Sequence, residues 1–315
     1  MEFRYPVEQC DVADRGKLAL YRARRSEWMC LLDNDPEHSV FEQLSSLLWQ
    51  DAVFRLFNEM RKGAPGGRTP TLISPVLAEA LDNGYVVGMI VGICRLIDGG
   101  DDVVSLRRVL DSIVANRDLI TRENYVCFDG LTYDVTSIPP TWERGIEPGK
   151  AVGVRLGGPE DSHTPPRLHA VFDELSGVSP SVRSRGDKIS KEYFEKIRSL
   201  LVHPSLRKFR DLRNKFVAHA ADPNSRARVD LSGYAISMLE VEEALRLLLQ
   251  ANDLIKAKVL WASSGSLVPV AQFDVLEGLV SSSSAEERVR LNRIWNRLTA
   301  ERDSWHVRPE IEAVS

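Results

Sequence analysis

Several common routes to function are missing from this sequence. Its 315 residues hold four cysteines, Cys10, Cys30, Cys94 and Cys127, and no two of them form a CxxC pair. Scattered thiols exclude a recognisable zinc site or disulfide framework and read as buried free cysteines in a reducing cytosol. An excess of positive charge is also missing. The formal net charge is -4, so any surface that attracts nucleic acid must be local. The longest apolar run, Tyr85 to Ile97, is interrupted by Arg95 and is too short to span a bilayer; it reads as a buried helix. The start, "MEFRYPVEQCD", has no apolar core of the kind a targeting segment needs. A cytoplasmic protein without a membrane anchor is therefore expected. "RLGGPED" lacks the glycine spacing and the lysine of a phosphate loop. His163 and His169 are too far apart, and too poor in neighbouring carboxylates, to suggest a metal site. Neither metal nor cofactor is expected, and no fixed-period repeat is visible.

What remains is an ordinary globular composition, 43% hydrophobic and 27% charged, arranged almost wholly in helical patterns. "VADRGKLALYRARRSEWMCLL" is weakly amphipathic. The next helix starts after Ser39 as N-cap, carries Phe41, Leu44, Leu47, Leu48, Val53, Phe54 and Leu56, and stops at Gly63. After the loop "APGGRTPT", Ser74 and Pro75 form a cap and a first-turn proline, and the helix closes on Gly99 and Gly100. A shorter helix is expected to open on Asp101 or Asp102. Residues 128–166 are rich in Gly, Pro, Asp and Thr and read as a long irregular insertion, with room for a β-hairpin. Helices resume in "RLHAVFDELSG" and "SKEYFEKIRSLLVH". Ser205 is expected to cap the following segment to Ala220. A long helix from Ala235 comes next, and a last one has Ser284 and Glu287 at capping-box spacing. The predicted organisation is all-α: an N-terminal helical part over 1–127, the insertion over 128–166, motif-bearing helices over 167–262, and a C-terminal linker and helix over 263–315.

The stretch "FRDLRNKFVAH" is unusual. On a wheel of ~100° per residue, Arg213 falls inside the apolar arc, between Leu206 and Val217 on one side and Phe209, Leu212 and Phe216 on the other. An unpaired guanidinium is too costly to bury there. Three arrangements are open: a pair with a buried carboxylate, a reach to solvent, or a subunit interface with an anion pocket. Local charge bears on the third. From Ser205 to Arg228, seven basic residues stand against two acidic ones, a net +5 in an acidic protein, which would attract phosphate.

Arg213, Asn214 and His219, with five residues between the arginine and the histidine, resemble the signature of the HEPN superfamily. "LLWQDAVFRLFNEMRK", "GICRLIDGGDDVVSLRRVLDSI" and "ITRENYV" resemble its abortive-infection, AbiU-type branch. The likeness spans roughly residues 40–125 and 190–260 and leaves out the insertion and the last helix. It implies a HEPN-type helical bundle with additional N- and C-terminal helices and a homodimer whose two arginine–histidine motifs meet in one cleft. It also implies a metal-independent endoribonuclease of anti-phage defence or a toxin–antitoxin system, with an antitoxin or defence-system protein as a further partner. In such a site the 2'-hydroxyl of RNA attacks phosphorus. His219 would serve as base or acid, Arg213 would hold the phosphate oxygens in fork geometry, and Asn214 would orient His219 or the substrate. Arg210 and Lys215 flank the motif as candidate RNA-backbone contacts. Arg107, Arg108 and Arg122 are expected in structural salt bridges, His203 as a capping or surface residue, and Trp49, Trp261 and Trp295 in the core. Two other readings stay open: a catalytically inactive HEPN protein that binds RNA, a nucleotide or a partner, and a helical interaction protein whose Arg213 bridges subunits.

Overall fold

The computed structural model describes residues 3–62, 74–133, 164–217, 236–263, 267, 270–271, 273–277 and 285–307. Among them there are ten α-helices and no strand, only an isolated bridge between Thr121 and Lys188. The all-α expectation holds. The helices are α1 (Arg15–Met29), α2 (Val40–Arg61), α3 (Pro75–Leu96), α4 (Leu106–Ala115), α5 (Arg122–Cys127), α6 (Thr164–Ser176), α7 (Lys191–Leu201), α8 (Pro204–Leu212), α9 (Met238–Asp253) and α10 (Ala285–Asp303). Residues 134–163 of the 128–166 insertion, and with them any hairpin, lie outside the described residues, as do Gly63, His219 and Ser284.

The chain divides into two compact units, each assembled from separated stretches. The first comprises Met1–Met29, Ser112–Glu195 and Lys258–Trp261. Its core holds Leu18, Tyr21, Trp28, Tyr125, Phe172 and Leu175. Arg122 is fully buried within it, paired with Asp173 and Asp187 at 2.8 Å each, its guanidinium 4.9 Å from the centre of the Phe172 ring. That is the structural salt bridge expected of Arg122. Gly130 has a φ of +89°, and a Cβ there would fall 2.2 Å from Cδ2 of Tyr5. Gly130→Ala therefore combines a disfavoured backbone with a clash and is expected to lower stability by about 1–3 kcal/mol, measured by urea unfolding.

His169 is buried in the same unit; its Nε2 donates to the Tyr133 carbonyl at 3.0 Å, and among the described residues its Nδ1 has no hydrogen-bond partner. Burial holds its pKa below the ordinary value, aided by Arg183 and Arg122, while the Tyr133 bond and Asp173 pull the other way. The neutral ring is thus the form that fits. The unfolded chain binds this proton more readily, so the contribution of His169 is complete above about pH 6.5 and is lost as pH falls from there through the depressed folded value. Unfolding free energies measured from about pH 7 to 5 are expected to decline less steeply in His169→Gln than in the wild type.

The second unit comprises Cys30–Asp111, Lys196–Ala257 and Ala262–Ser315. Here α2 packs against α3, α9 and α10, and α3 also packs against α8 and α9. Ala52, Leu56 and Met60 of α2 meet Leu276, Leu291 and Trp295 in a buried cluster, with Trp49 partly buried beside it. The caps follow local chemistry. Ser39 accepts from the Glu42 amide, and Ser74 accepts from the Leu77 amide with Pro75 in the first turn, both as expected. Two caps differ from expectation. Helix α4 opens on Ser105, whose hydroxyl accepts from the Arg108 amide, rather than on Asp101 or Asp102. Helix α8 opens on His203, whose Nδ1 accepts from the Ser205 amide at 3.3 Å, rather than on Ser205. Pro204 decides that case: proline fits the first helical position and leaves the residue before it as the cap.

The apolar run Tyr85–Ile97 is largely buried, as expected: Met89, Ile90, Ile93, Cys94, Leu96 and Ile97 are buried, and within the run only Val87 and Arg95 are exposed. Val76, Leu77 and Leu81, in the first half of α3, are exposed. This is the single helix among the described residues that is long and apolar enough to cross a membrane by length and composition, with 17% of its apolar window buried. Of the cysteines, Cys10, Cys94 and Cys127 are buried free thiols and Cys30 is exposed.

Candidate functional site

Helix α8 buries Leu206, Phe209 and Leu212. At Arg213 the α-helix gives way to a π-helical turn, Arg213–Val217. A π turn places more residues in each turn, so a 100° wheel no longer describes positions beyond Leu212. Consequently Phe216 is 40% exposed instead of joining the buried face. The side chain of Arg213 is 29% exposed. It caps the end of the buried stripe; it does not lie in its middle.

Arg213 pairs with Asp98 at 3.3 Å, and its Nε donates to Oδ1 of Asn214 at 3.1 Å. Asp98 is 37% exposed, so the pair is neither a deeply buried bridge nor a free arginine in water. Asn214 is exposed, and its carbonyl oxygen holds the arginine. Lys215 is half-buried on the π turn. His219, the histidine of the motif, lies two residues past the end of this described segment.

Three elements build a cavity around this arginine. The C-terminal end of α3 supplies Cys94, and the residues directly after it supply Ile97, Asp98 and Gly99; α4 supplies Arg107; α8 and its continuation supply Arg210 and Arg213. The cavity encloses about 230 Å³. Asp98 is fixed from its own loop, since Oδ1 accepts from the Gly100 amide at 3.1 Å and its carbonyl accepts from the hydroxyl of Ser105, the cap of α4. The guanidinium of Arg107 lies over Gly99, where an added Cβ would stand 3.2 Å from its Nε. Arg107 also faces Asp111 at 3.6 Å, and Asp111 is shared with Arg198 at 2.9 Å. Among the described residues, the side chain of Arg210 makes no hydrogen bond or ion pair.

Three guanidinium groups thus surround one lining carboxylate, leaving an excess of positive charge in a small concave space. The thiol of Cys94 does not add a nucleophile. Burial pushes its pKa up to about 11, against the pull of Arg213 and Arg210, so it is a neutral part of the wall. The arrangement can hold an anion with oxygens spaced for guanidinium forks, as phosphate oxygens are.

Of the residues singled out in the sequence, Arg210 and Arg213 come together here, with Asn214 beside them. Arg107 was expected only in a salt bridge, and Asp98 was not singled out at all. Gly99 after Asp98 was the signal available, since a glycine leaves room for a long side chain to cross the backbone. Arg108 donates to the Val103 carbonyl at 2.8 Å, and among the described residues it makes no ion pair of the kind expected of it. His203 is a capping residue, as expected.

Comparison with protein-family models, curated proteins and solved structures gave no match. The functional reading therefore stands on the residues themselves.

Proposed function

We propose that this chain is a HEPN-type, metal-independent endoribonuclease of an anti-phage or toxin–antitoxin system, working as a homodimer on RNA. One observation carries the reading: the arginine of the signature lies in an arginine-lined cavity whose only lining carboxylate among the described residues is half-exposed. A half-exposed ion pair contributes about 0–1 kcal/mol, so a phosphate can displace Asp98 from Arg213 at little expense. Arg210, which makes no ion pair among the described residues, would take a second phosphate oxygen. His219 follows Arg213 in the sequence and would provide proton transfer.

The alternative is a catalytically inactive HEPN protein that binds RNA, a nucleotide or a partner protein through the same cavity. The reading in which Arg213 only bridges subunits would be favoured by a buried carboxylate partner, and it has less support because Asp98 is half-exposed. The test is RNA cleavage by purified protein in EDTA, wild type beside Arg213→Ala and His219→Ala. Cleavage by the wild type alone is the expected result. Cleavage by all three would reject the site, and binding without cleavage would favour the inactive form.

A further inference from the structure

The second unit contains another, larger cavity, of about 710 Å³, which shares no lining residue with the first. Its size falls within the range of small-molecule sites, about 300–1,000 Å³. Part of its wall is apolar, from Val86, Val241, Ile294 and Leu298. Two aromatic rings also line it. Phe54 of α2 and Tyr85 of α3 stack with centroids 3.8 Å apart and planes 7° from parallel.

The Tyr85 ring is held in place by its hydroxyl, and Phe54 stacks on it. The hydroxyl of Tyr85 donates to Oδ1 of the fully buried Asp51 at 2.7 Å. Burial, followed by the neighbouring Asp51 charge, raises the Tyr85 pKa far above its ordinary value, so the hydroxyl stays a donor. Tyr85 therefore offers the cavity a fixed ring whose polar tip is already satisfied. Arg55 is equally fixed: it binds Asp51 at 3.0 Å, Glu242 at 3.0 Å and the Met238 carbonyl at 2.7 Å.

The polar part of the wall is basic. Arg55, Arg61, Lys62 and Arg297 line it against Glu59 and Asp82. Arg61 is paired with Asp82 and Lys62 with Glu59, each at 2.6 Å. Arg297 is different. It is exposed, and among the described residues it has no hydrogen bond or ion pair.

We propose that this cavity binds a nucleoside phosphate, its base against the Phe54–Tyr85 pair and its phosphate on Arg297. A flat ring matches a rigid aromatic wall, and base–aromatic stacking tolerates any base. An anionic group gives Arg297 a partner that the described part of its own chain does not supply, in the fork geometry guanidinium favours. This site is independent of the ribonuclease reading, because no residue of the arginine cavity takes part.

Calorimetry on the full chain, with AMP, ATP and inorganic phosphate as separate probes, tests it. One AMP site per chain is expected, with phosphate alone at least tenfold weaker, on the order of the loss of one stacked base. Arg297→Ala is expected to weaken AMP about tenfold, as loss of one charged hydrogen-bonding group does. Arg297 is exposed and makes no bond within the described chain, so this variant should fold; matching thermal unfolding confirms that. Phe54→Leu, which removes the ring and keeps an apolar wall, is expected to weaken AMP several-fold without changing phosphate binding. Arg213→Ala should leave AMP binding unchanged. The proposal is overturned if neither nucleotide binds, if Arg297→Ala binds AMP as the wild type does, if phosphate alone binds as tightly as AMP, or if binding is lost in Arg213→Ala instead.

Discussion

Asp51→Ala is expected to cost about 3–5 kcal/mol of stability, the range for removing one partner of a buried ion pair. Asp51 is fully buried in α2, and three donors converge on it: Arg55, Tyr85 and Arg302. Arg302 of α10 is itself 2% exposed. Its Nη1 donates to the Leu298 carbonyl at 2.9 Å, and among the described residues its Nε has no hydrogen-bond partner. Without Asp51, a buried guanidinium would lose its counter-charge, and the Tyr85 hydroxyl would lose its acceptor. Arg55 would suffer less, because Glu242 remains. Urea unfolding of Asp51→Ala gives the loss directly. The double variant Asp51→Leu with Arg302→Met removes both charges, and much of the stability should return. A loss below about 1 kcal/mol in Asp51→Ala would mean that the network is not closed as described.

Arg213→Ala is expected to reduce RNA cleavage by about 10³-fold, the scale of removing a group that stabilises charge in the transition state. Arg213→Lys should restore little of it. Lysine keeps the positive charge but not the planar pair of donors that meets two phosphate oxygens at once. Asp98→Asn offers the opposite sign of effect. It releases Arg213 from its internal ion pair, so RNA binding should tighten while the cap of α4 stays in place, since Ser105 bonds the Asp98 backbone carbonyl. Cleavage rates at saturating RNA for Arg213→Ala and Arg213→Lys, beside binding constants for Asp98→Asn, separate these effects. Equal rates in wild type and Arg213→Lys would show that charge alone suffices and that the fork is not used.

The features that could be read from the sequence are the local ones. Ser39 and Ser74 were legible because each is a lone cap residue directly before an apolar period. Ser105 was not, because Asp101, Asp102 and Ser105 all have cap chemistry. The choice falls to Ser105, whose hydroxyl also bonds the Asp98 carbonyl seven residues earlier. The π turn at Arg213 was hidden for a related reason: residue type does not announce a change in hydrogen-bond register. That change moved Phe216 out to the surface and placed Arg213 at the rim of a cavity, where a regular wheel put both among apolar neighbours. Arg210 and Arg213 were visible as candidates from their spacing. Arg107 and Asp98 joined them only through the packing of α3 against α8, a contact between residues more than a hundred positions apart. The division into two units was hidden in the same way, since each unit gathers stretches from three parts of the chain.

The chemistry of the cut ends tests the central claim most directly. Attack by the 2'-hydroxyl, with His219 and Arg213 and no metal, leaves a 2',3'-cyclic phosphate and a 5'-hydroxyl. Mass spectrometry of RNA fragments produced by the wild-type chain in EDTA should therefore find those two ends, and His219→Ala should yield neither. Fragments with 3'-hydroxyl and 5'-phosphate ends, or cleavage that appears only when a divalent metal is restored, would contradict the account.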